Sequence, residues 1–166
     1  MTMTPMWPHY AILFFVLFQR LSELVIARAN TARLLAMGAY EHAPGHYPLI
    51  VAVHAGWLAS LFWLAPGQSI HWWLFGIFLL LQAGRLWVLR TLGPRWTTRI
   101  IVLPGAPLVT GGPFRFVRHP NYLVVIGEIA VLPLVFGLWQ VALIFSLLNA
   151  IVLTIRIRAE MGALGG

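Results

Sequence analysis

Residues 122–155 read YLVVIGEIAVLPLVFGLWQVALIFSLLNAIVLTI, 34 positions with one charged side chain, Glu128. A helix crossing a hydrocarbon core about 30 Å thick takes about 20 apolar residues, so this run is too long for one span. Pro133 and Gly137, just ahead of Trp139 and Gln140, supply a break. The stretch therefore reads as a tight helical hairpin with spans at 122–137 and 139–155. Outward from it, three more apolar blocks lie at 10–27, 47–65 and 70–92, separated by charge, Pro or Gly. The fold class expected is an all-α integral membrane protein, one membrane domain over 1–166 with five transmembrane helices, and a loop at 93–121 before the hairpin.

Composition agrees. Of 166 residues, 60% are hydrophobic and 9% charged, whereas a soluble domain carries about 25% charged residues. No cysteine is present, which removes disulfide and zinc-finger scaffolds, and no metal site is expected. All 11 basic residues are Arg and all four acids Glu, giving a net charge of +7. In a soluble protein that charge would point to nucleic acid; here its placement marks sides of a membrane, and no nucleic-acid partner is expected. Arg28 and Arg33 fall in the first loop, Arg90, Arg95, Arg99, Arg115 and Arg118 at the third, and Arg156 and Arg158 in the tail. The loops at 66–69 and 133–138 carry none. The positive-inside rule then puts the N-terminus outside and the C-terminus in the cytoplasm. Trp7, Tyr10, Trp63, Trp72, Trp73 and Trp139 fall at the outer span ends, and Tyr47, Trp87, Trp96 and Tyr122 at the inner ends, as interfacial belts do. Met1 to His9 lacks a basic n-region and a cleavage site, so the first span is expected to be retained.

Charge inside hydrocarbon is costly, and five ionisable groups fall within spans: Arg20, Glu23, His54, Arg85 and Glu128. All five sit in the cytoplasmic half of the expected topology. Arg20 and Arg85 read as snorkelling to the inner interface, with Arg20 paired to Glu23 at i,i+3. His54 reads as a helix-to-helix hydrogen-bonding residue or a contributor to a pocket. Glu128, six residues after Tyr122 on one helix, reads as functional or directly supporting.

The loop at 93–121 holds more than a connection needs. Trp96 to Leu103 is rich in Thr, Ile and Val, Pro104-Gly105 follows, and Leu108 to Thr110 is again strand-like, so a short β-hairpin on the cytoplasmic surface is expected. Then comes GGPFRFVRHPNY, residues 111–122, which runs into the fourth span with Pro120 suited to a helix start. It brings Arg and His to a positive helix terminus, which suits a carboxylate or phosphate or, equally, lipid headgroups at the inner leaflet. Arg156 and Glu160 share a helix face at i,i+4, and the hairpin carries them beside the start of the fourth span. Two polar clusters distant in sequence thus converge.

These residues resemble the isoprenylcysteine carboxyl methyltransferase-like integral membrane methyltransferases, which also include phospholipid N-methyltransferases. The resemblance covers roughly Gly93 to Glu160 and rests on Gly112-Pro113-Phe114-Arg115, Arg118-His119-Pro120-Asn121-Tyr122, and Arg156 with Glu160. It implies S-adenosyl-L-methionine as cofactor, with His119, Pro120, Asn121 and Tyr122 as the central motif. By the same resemblance, Ala106, Pro107, Leu108, Val109, Phe114 and Arg99 line the cofactor pocket, Glu160 holds its polar end, and Arg156 faces the acceptor. Gln19 to Glu23, Gly45 to Pro48 and His54 to Trp57 are similar to a bacterial subgroup that methylates alkylpyrones or phenolic lipids. Family members commonly continue past the final acid with a second acid and an aromatic-containing helix, whereas here Glu160 is followed by MGALGG, so a shorter or differently supplied lid is expected.

Methyl transfer from a sulfonium needs proximity, alignment and a deprotonated nucleophile. A lipid carboxylate needs no general base, and an acidic hydroxyl needs little help if Arg156 stabilises its anion. The expected partner is therefore a lipophilic small-molecule or lipid acceptor entering from the membrane, with Arg156 orienting it and Glu128 or His54 shaping its pocket. Abundant Arg and Ala without Lys point to a bacterial inner membrane, the site facing the cytoplasm. Two rival readings are an NADPH-dependent membrane reductase of related architecture and a non-enzymatic membrane subunit or small transporter.

Overall fold

The computed structural model describes residues 5–164; Met1–Thr4, part of the segment read for a signal peptide, and Gly165–Gly166, the end of the expected short lid, lie outside the described residues. Five long helices follow one another: α1 (Trp7–Ala36), α2 (Tyr47–Leu64), α3 (Trp72–Leu92), α4 (Pro120–Val135) and α5 (Trp139–Leu164). Two-residue strands β1 (Tyr40–Glu41) and β2 (Ile101–Val102) are the sheet among these residues, and single 3-10 turns cover Pro44–His46, Gly93–Arg95 and Gly112–Arg115. The chain is an all-α membrane protein: α1, α2, α3 and α5 are long and apolar enough to cross a bilayer. Their outward faces are apolar, with Phe18, Trp63, Leu80 and Ile151 all exposed, as lipid-facing side chains must be.

The helix break in the hairpin falls as the sequence predicts. Pro133 lies in the last turn of α4, Gly137 adopts φ +70°, and α5 starts at Trp139. The helices differ in length. α4 has 16 residues, about 24 Å of rise, less than the hydrocarbon thickness. It tolerates this because it is enclosed: it packs along α3 and α5, and nine of its residues, from Pro120 to Val135, are buried. α1, in contrast, runs nine residues beyond Ala27 to Ala36. Its extension is fixed from the side, where Asn30 donates to the carbonyls of Gly93 (3.2 Å) and Trp96 (2.9 Å) and Arg33 donates to that of Pro94 (2.8 Å). The first helix therefore holds the start of the 93–121 loop.

The expected β-hairpin inside that loop does not form. β2 pairs antiparallel with β1 from the first loop, Tyr40 opposite Val102 and Glu41 opposite Ile101. A turn does close at Pro104-Gly105, but Pro107 has no N–H to give a ladder and its carbonyl accepts from Arg95. The strand-like pattern at 101–102 is real, and its partner lies 60 residues upstream, beyond the reach of local pattern.

The main core joins Leu13 and Val16 of α1, Trp57 and Leu61 of α2, Phe78 of α3, Ile129 and Leu132 of α4, and Phe136. Trp57 donates its indole N–H to the carbonyl of Ile129 at 3.2 Å, so the one polar edge of that ring is satisfied in the core. A smaller cluster, Ala27, Val88 and Trp96 with Phe114 against it, seats the loop on α1 and α3. Trp96 is 5% exposed, so it is a core residue and not a member of an interfacial belt, whereas Trp7, Trp63, Trp72, Trp73 and Trp139 are exposed at the opposite end.

Gly112 begins the turn that leads to α4 at φ +55°, and a Cβ there would lie 2.3 Å from Thr91 Oγ1. Both the backbone conformation and the close approach require glycine. Gly112→Ala is expected to lower stability by about 1–3 kcal/mol, read as the unfolding midpoint in detergent micelles. Gly111→Ala, whose added carbon meets nothing within 4 Å, should leave the midpoint unchanged.

Candidate active site

Four charged side chains from three helices meet inside the membrane-spanning bundle. Arg85 of α3 forks onto Glu23 of α1, Nε to Oε1 at 2.6 Å and Nη2 to Oε2 at 2.5 Å, and its Nη1 donates to Glu128 of α4 at 2.9 Å. Arg20 donates to the same Glu128 oxygen at 2.5 Å, and Gln82 donates to the other at 2.7 Å. The Arg20–Glu23 pair expected from spacing exists at 3.7 Å, but it is the weakest contact of the set. Snorkelling is not what these residues do: Arg85 is 4% exposed, Glu23 6% and Glu128 fully buried. Two arginines and two glutamates cancel in formal charge, and bidentate geometry with near-complete hydrogen bonding is the condition under which buried ions are tolerable.

A cavity of about 240 Å³ opens beside this network, walled by α1, α2, α4, α5 and residues 96–98 of the loop. Its surface is mostly apolar, with Leu24, Ile50, Leu58, Val125, Val152 and Leu153. Arg20, Glu23, His54, Arg85 and Asn149 contribute polar groups at one level, and Tyr47, Trp96, Thr98, Asn121, Tyr122 and Arg156 at another. An apolar pocket with few convergent polar groups is the form small-molecule sites take. Several polar atoms here have no hydrogen-bond partner among the described residues: Arg20 Nε, Trp96 Nε1 and Asn121 Oδ1.

At the loop end of this cavity the start of α4 meets the end of α5. Arg156 Nε donates to the Tyr122 hydroxyl at 3.0 Å and its Nη1 donates to the carbonyl of Thr98 at 2.8 Å. Its Nη2 makes no hydrogen bond among the described residues, and the guanidinium lines the cavity. Glu160 stands 3.7 Å from Arg156 Nε and 3.6 Å from His119 Nδ1, longer than hydrogen bonds, and is partly exposed. The imidazole of His119 stacks on the Tyr122 ring at 5.1 Å between centroids. Tyr122 is thereby clamped between His119 and Arg156, and the Tyr47 hydroxyl, 3.1 Å from Thr98 Oγ1, ties α2 to the same segment.

The structure thus brings His119, Asn121, Tyr122, Arg156 and Glu160 to one place. Pro120 is the buried first residue of α4. The other residues named for the cofactor have their own contacts. Phe114 packs on the Ala27–Val88–Trp96 cluster, and Arg99 pairs with Glu41 at 2.9 Å and lies over the Tyr47 ring. Ala106–Val109 is irregular loop with Leu108 exposed, and Pro107 accepts from Arg95. His54 lines the cavity and shares its Nδ1 with the Ile50 carbonyl of its own helix at 2.9 Å, not with another helix. Glu128 stands one layer behind the wall, with its partners Arg20 and Arg85 at the surface. Sequence reasoning missed Gln82 and Asn149, although each is a polar residue within an apolar span, Gln82 three positions before Arg85 and Asn149 seven before Arg156. It also assigned Tyr47 and Trp96 to a belt when both form walls of the cavity.

Comparison with known proteins agrees with this architecture. Residues 74–165 match the isoprenylcysteine carboxyl methyltransferase (ICMT) family. The uncharacterized protein YpbQ of Bacillus subtilis strain 168 is 40% identical, over 95% of each chain. An uncharacterized protein of Haemophilus influenzae Rd is 26% identical over 90% of each. No solved structure gives a significant match. The chain belongs to the isoprenylcysteine carboxyl methyltransferase family, a family of membrane methyltransferases.

Removing one partner of a buried ion pair costs about 3–5 kcal/mol because the other charge is left behind. Arg85→Met, which strands Glu23 and leaves Glu128 to Arg20 and Gln82, is expected to lower stability by that amount in a denaturation series in mixed micelles. Arg99→Met, which breaks an exposed pair with Glu41, should cost less than about 1 kcal/mol.

Proposed function

We propose that the protein transfers a methyl group from S-adenosyl-L-methionine to an oxygen of a lipophilic acceptor, either a carboxylate or an acidic hydroxyl, at the cytoplasmic side of a bacterial inner membrane. The observation that carries this reading is the meeting of His119, Tyr122, Arg156 and Glu160 at the mouth of a mostly apolar cavity within a membrane bundle. The donor set suits an amino-acid zwitterion joined to a sulfonium. Glu160, held only at 3.6 and 3.7 Å from its neighbours, keeps acceptor capacity for an ammonium, and partly exposed His119 can donate to a carboxylate. His119, Asn121, Tyr122 and Glu160 would hold the cofactor, which supplies an activated methyl on sulfur.

The remaining demands fall on the protein's own side chains. Arg156 has two of its nitrogens fixed, on Tyr122 and Thr98, so its third is offered in a set orientation to an acceptor anion. Preorganisation of that kind aligns the nucleophilic oxygen without reorganising at the moment of reaction. The apolar walls exclude water and accept a hydrocarbon portion, and the large share of loop arginines keeps this end at the cytoplasmic face. A carboxylate is already the nucleophile, and an acidic enol becomes one by giving its proton to water before it enters, which accounts for a site containing Arg, His and Glu without a dedicated base.

Arg156→Ala is expected to reduce kcat/KM for methyl transfer by about 100-fold or more while leaving S-adenosylhomocysteine affinity within a few-fold. Tyr122→Phe, which frees Arg156 Nε, should give an intermediate loss. The decisive measurement is calorimetric titration with S-adenosylhomocysteine and with NADPH: binding of the nicotinamide cofactor alone overturns the methyltransferase reading in favour of a reductase. Comparing lipid extracts from cells with and without the gene for a methyl-sized mass difference then identifies the acceptor.

A further inference from the structure

The cavity has polar groups at two levels, and one level suffices to hold a reacting oxygen. The level at the mouth is set by Arg156, Tyr122 and Tyr47. Asn149 lies seven residues before Arg156 on α5, and His54 seven after Tyr47 on α2, so both stand about 10 Å deeper in the bundle at 1.5 Å per residue. Arg20 reaches the same level, since it bonds Glu128 six residues into α4 from Tyr122. All three side chains line the cavity. Asn149 is 4% exposed and its amide makes no hydrogen bond among the described residues, and Arg20 Nε is buried without a partner. A buried polar group left without a partner costs about 1–3 kcal/mol, so a wall that holds the Asn149 amide, Arg20 and a His54 ring bonded only within its own helix is poor packing for a hydrocarbon chain. These groups are well placed for a ligand that brings its own polar atom.

We propose that Asn149, His54 and Arg20 form a second polar subsite, and that the acceptor carries a neutral oxygen function, a carbonyl or hydroxyl, about 10 Å from the oxygen held at Arg156. Neutrality follows from the charge balance at this level. The two arginines there are already matched by Glu23 and Glu128, so a second anion would enter without a countercharge. The Asn149 amide donates to a ligand oxygen and accepts from a hydroxyl as well, with His54 and Arg20 beside it in the cavity wall. The inference rests on the methyltransferase reading for the role of Arg156, but the subsite is defined by the deeper residues alone. It separates an oxygenated amphiphile from a plain fatty acid, whose chain would bury against the unpaired Asn149 amide.

The test uses the full-length protein in lipid nanodiscs and two probes, stearate and 9-oxostearate, titrated calorimetrically in the presence of S-adenosylhomocysteine. The keto acid is expected to bind about tenfold more tightly, the worth of one well-made buried hydrogen bond. Asn149→Leu should abolish the preference while leaving stearate affinity unchanged or improved. Equal affinities in the unsubstituted protein, no binding of either probe, or a variant that weakens both probes alike would overturn the subsite. The first comparison needs no variant, so a misfolded Asn149→Leu does not remove the test. If the keto preference stands while S-adenosylhomocysteine fails to bind, the cofactor reading falls and the subsite survives.

Discussion

Everything in this bundle is arranged around a carboxylate that cannot be left alone. Glu128 is fully buried on the helix that the others enclose, and its ionised form is tolerable there only with several donors in fixed positions. Arg85, Arg20 and Gln82 supply them, and Glu23 completes the balance by taking the rest of the Arg85 fork. One acid thereby ties α1, α3 and α4 in a single register. Apolar packing between membrane helices is weakly directional, because lipid tails are as apolar as leucine. A bidentate ion pair is directional, so sliding a helix by one turn past its neighbour would strand a charge.

That registration has a consequence at the site. With α4 fixed on α1 and α3, its first residues stand at a set height, and the 3-10 turn at Gly112–Arg115 rests against α3 through Thr91. α5 then returns from the Gly137 turn to bring Arg156 and Glu160 alongside. The cavity is the space these constraints leave between α1, α2, α4 and α5, and the network forms part of its wall. The two arginines that break the apolar spans are therefore structural on one side and surface-lining on the other. The start of α4 and the loop at Thr98 converge on Arg156, and that loop is pinned from outside by Asn30 and Arg33 of α1.

Much of this was legible in the sequence because membrane insertion is governed by local quantities. Apolar length, the Pro133–Gly137 break and arginine placement each act over 20 residues or fewer, so the helices and the hairpin could be read directly. The meeting of the GPFR–RHPNY segment with Arg156 and Glu160 also followed, since a tight hairpin leaves no other place for the end of α5. Pairings between distant segments did not follow. Ile101–Val102 looks like half of a local hairpin and pairs with Tyr40–Glu41, and Trp96 looks like a belt residue and is core. Arg20 was matched to Glu23 by spacing, while its short contact is to Glu128 on another helix.

The sequence by itself determined the solvent of this protein and the number and order of its helices, because transfer of each segment between water and lipid is nearly a sum over its own residues. It also determined which residue types are available for chemistry. Only the tertiary structure decided which of those residues share a site. Ionic hydrogen bonds act over about 3 Å, and no one-dimensional spacing reports which side chains of different helices approach that closely. Glu128 accordingly moved from a pocket wall to the layer behind it, and Asn149, unremarkable in an apolar span, came to face the cavity.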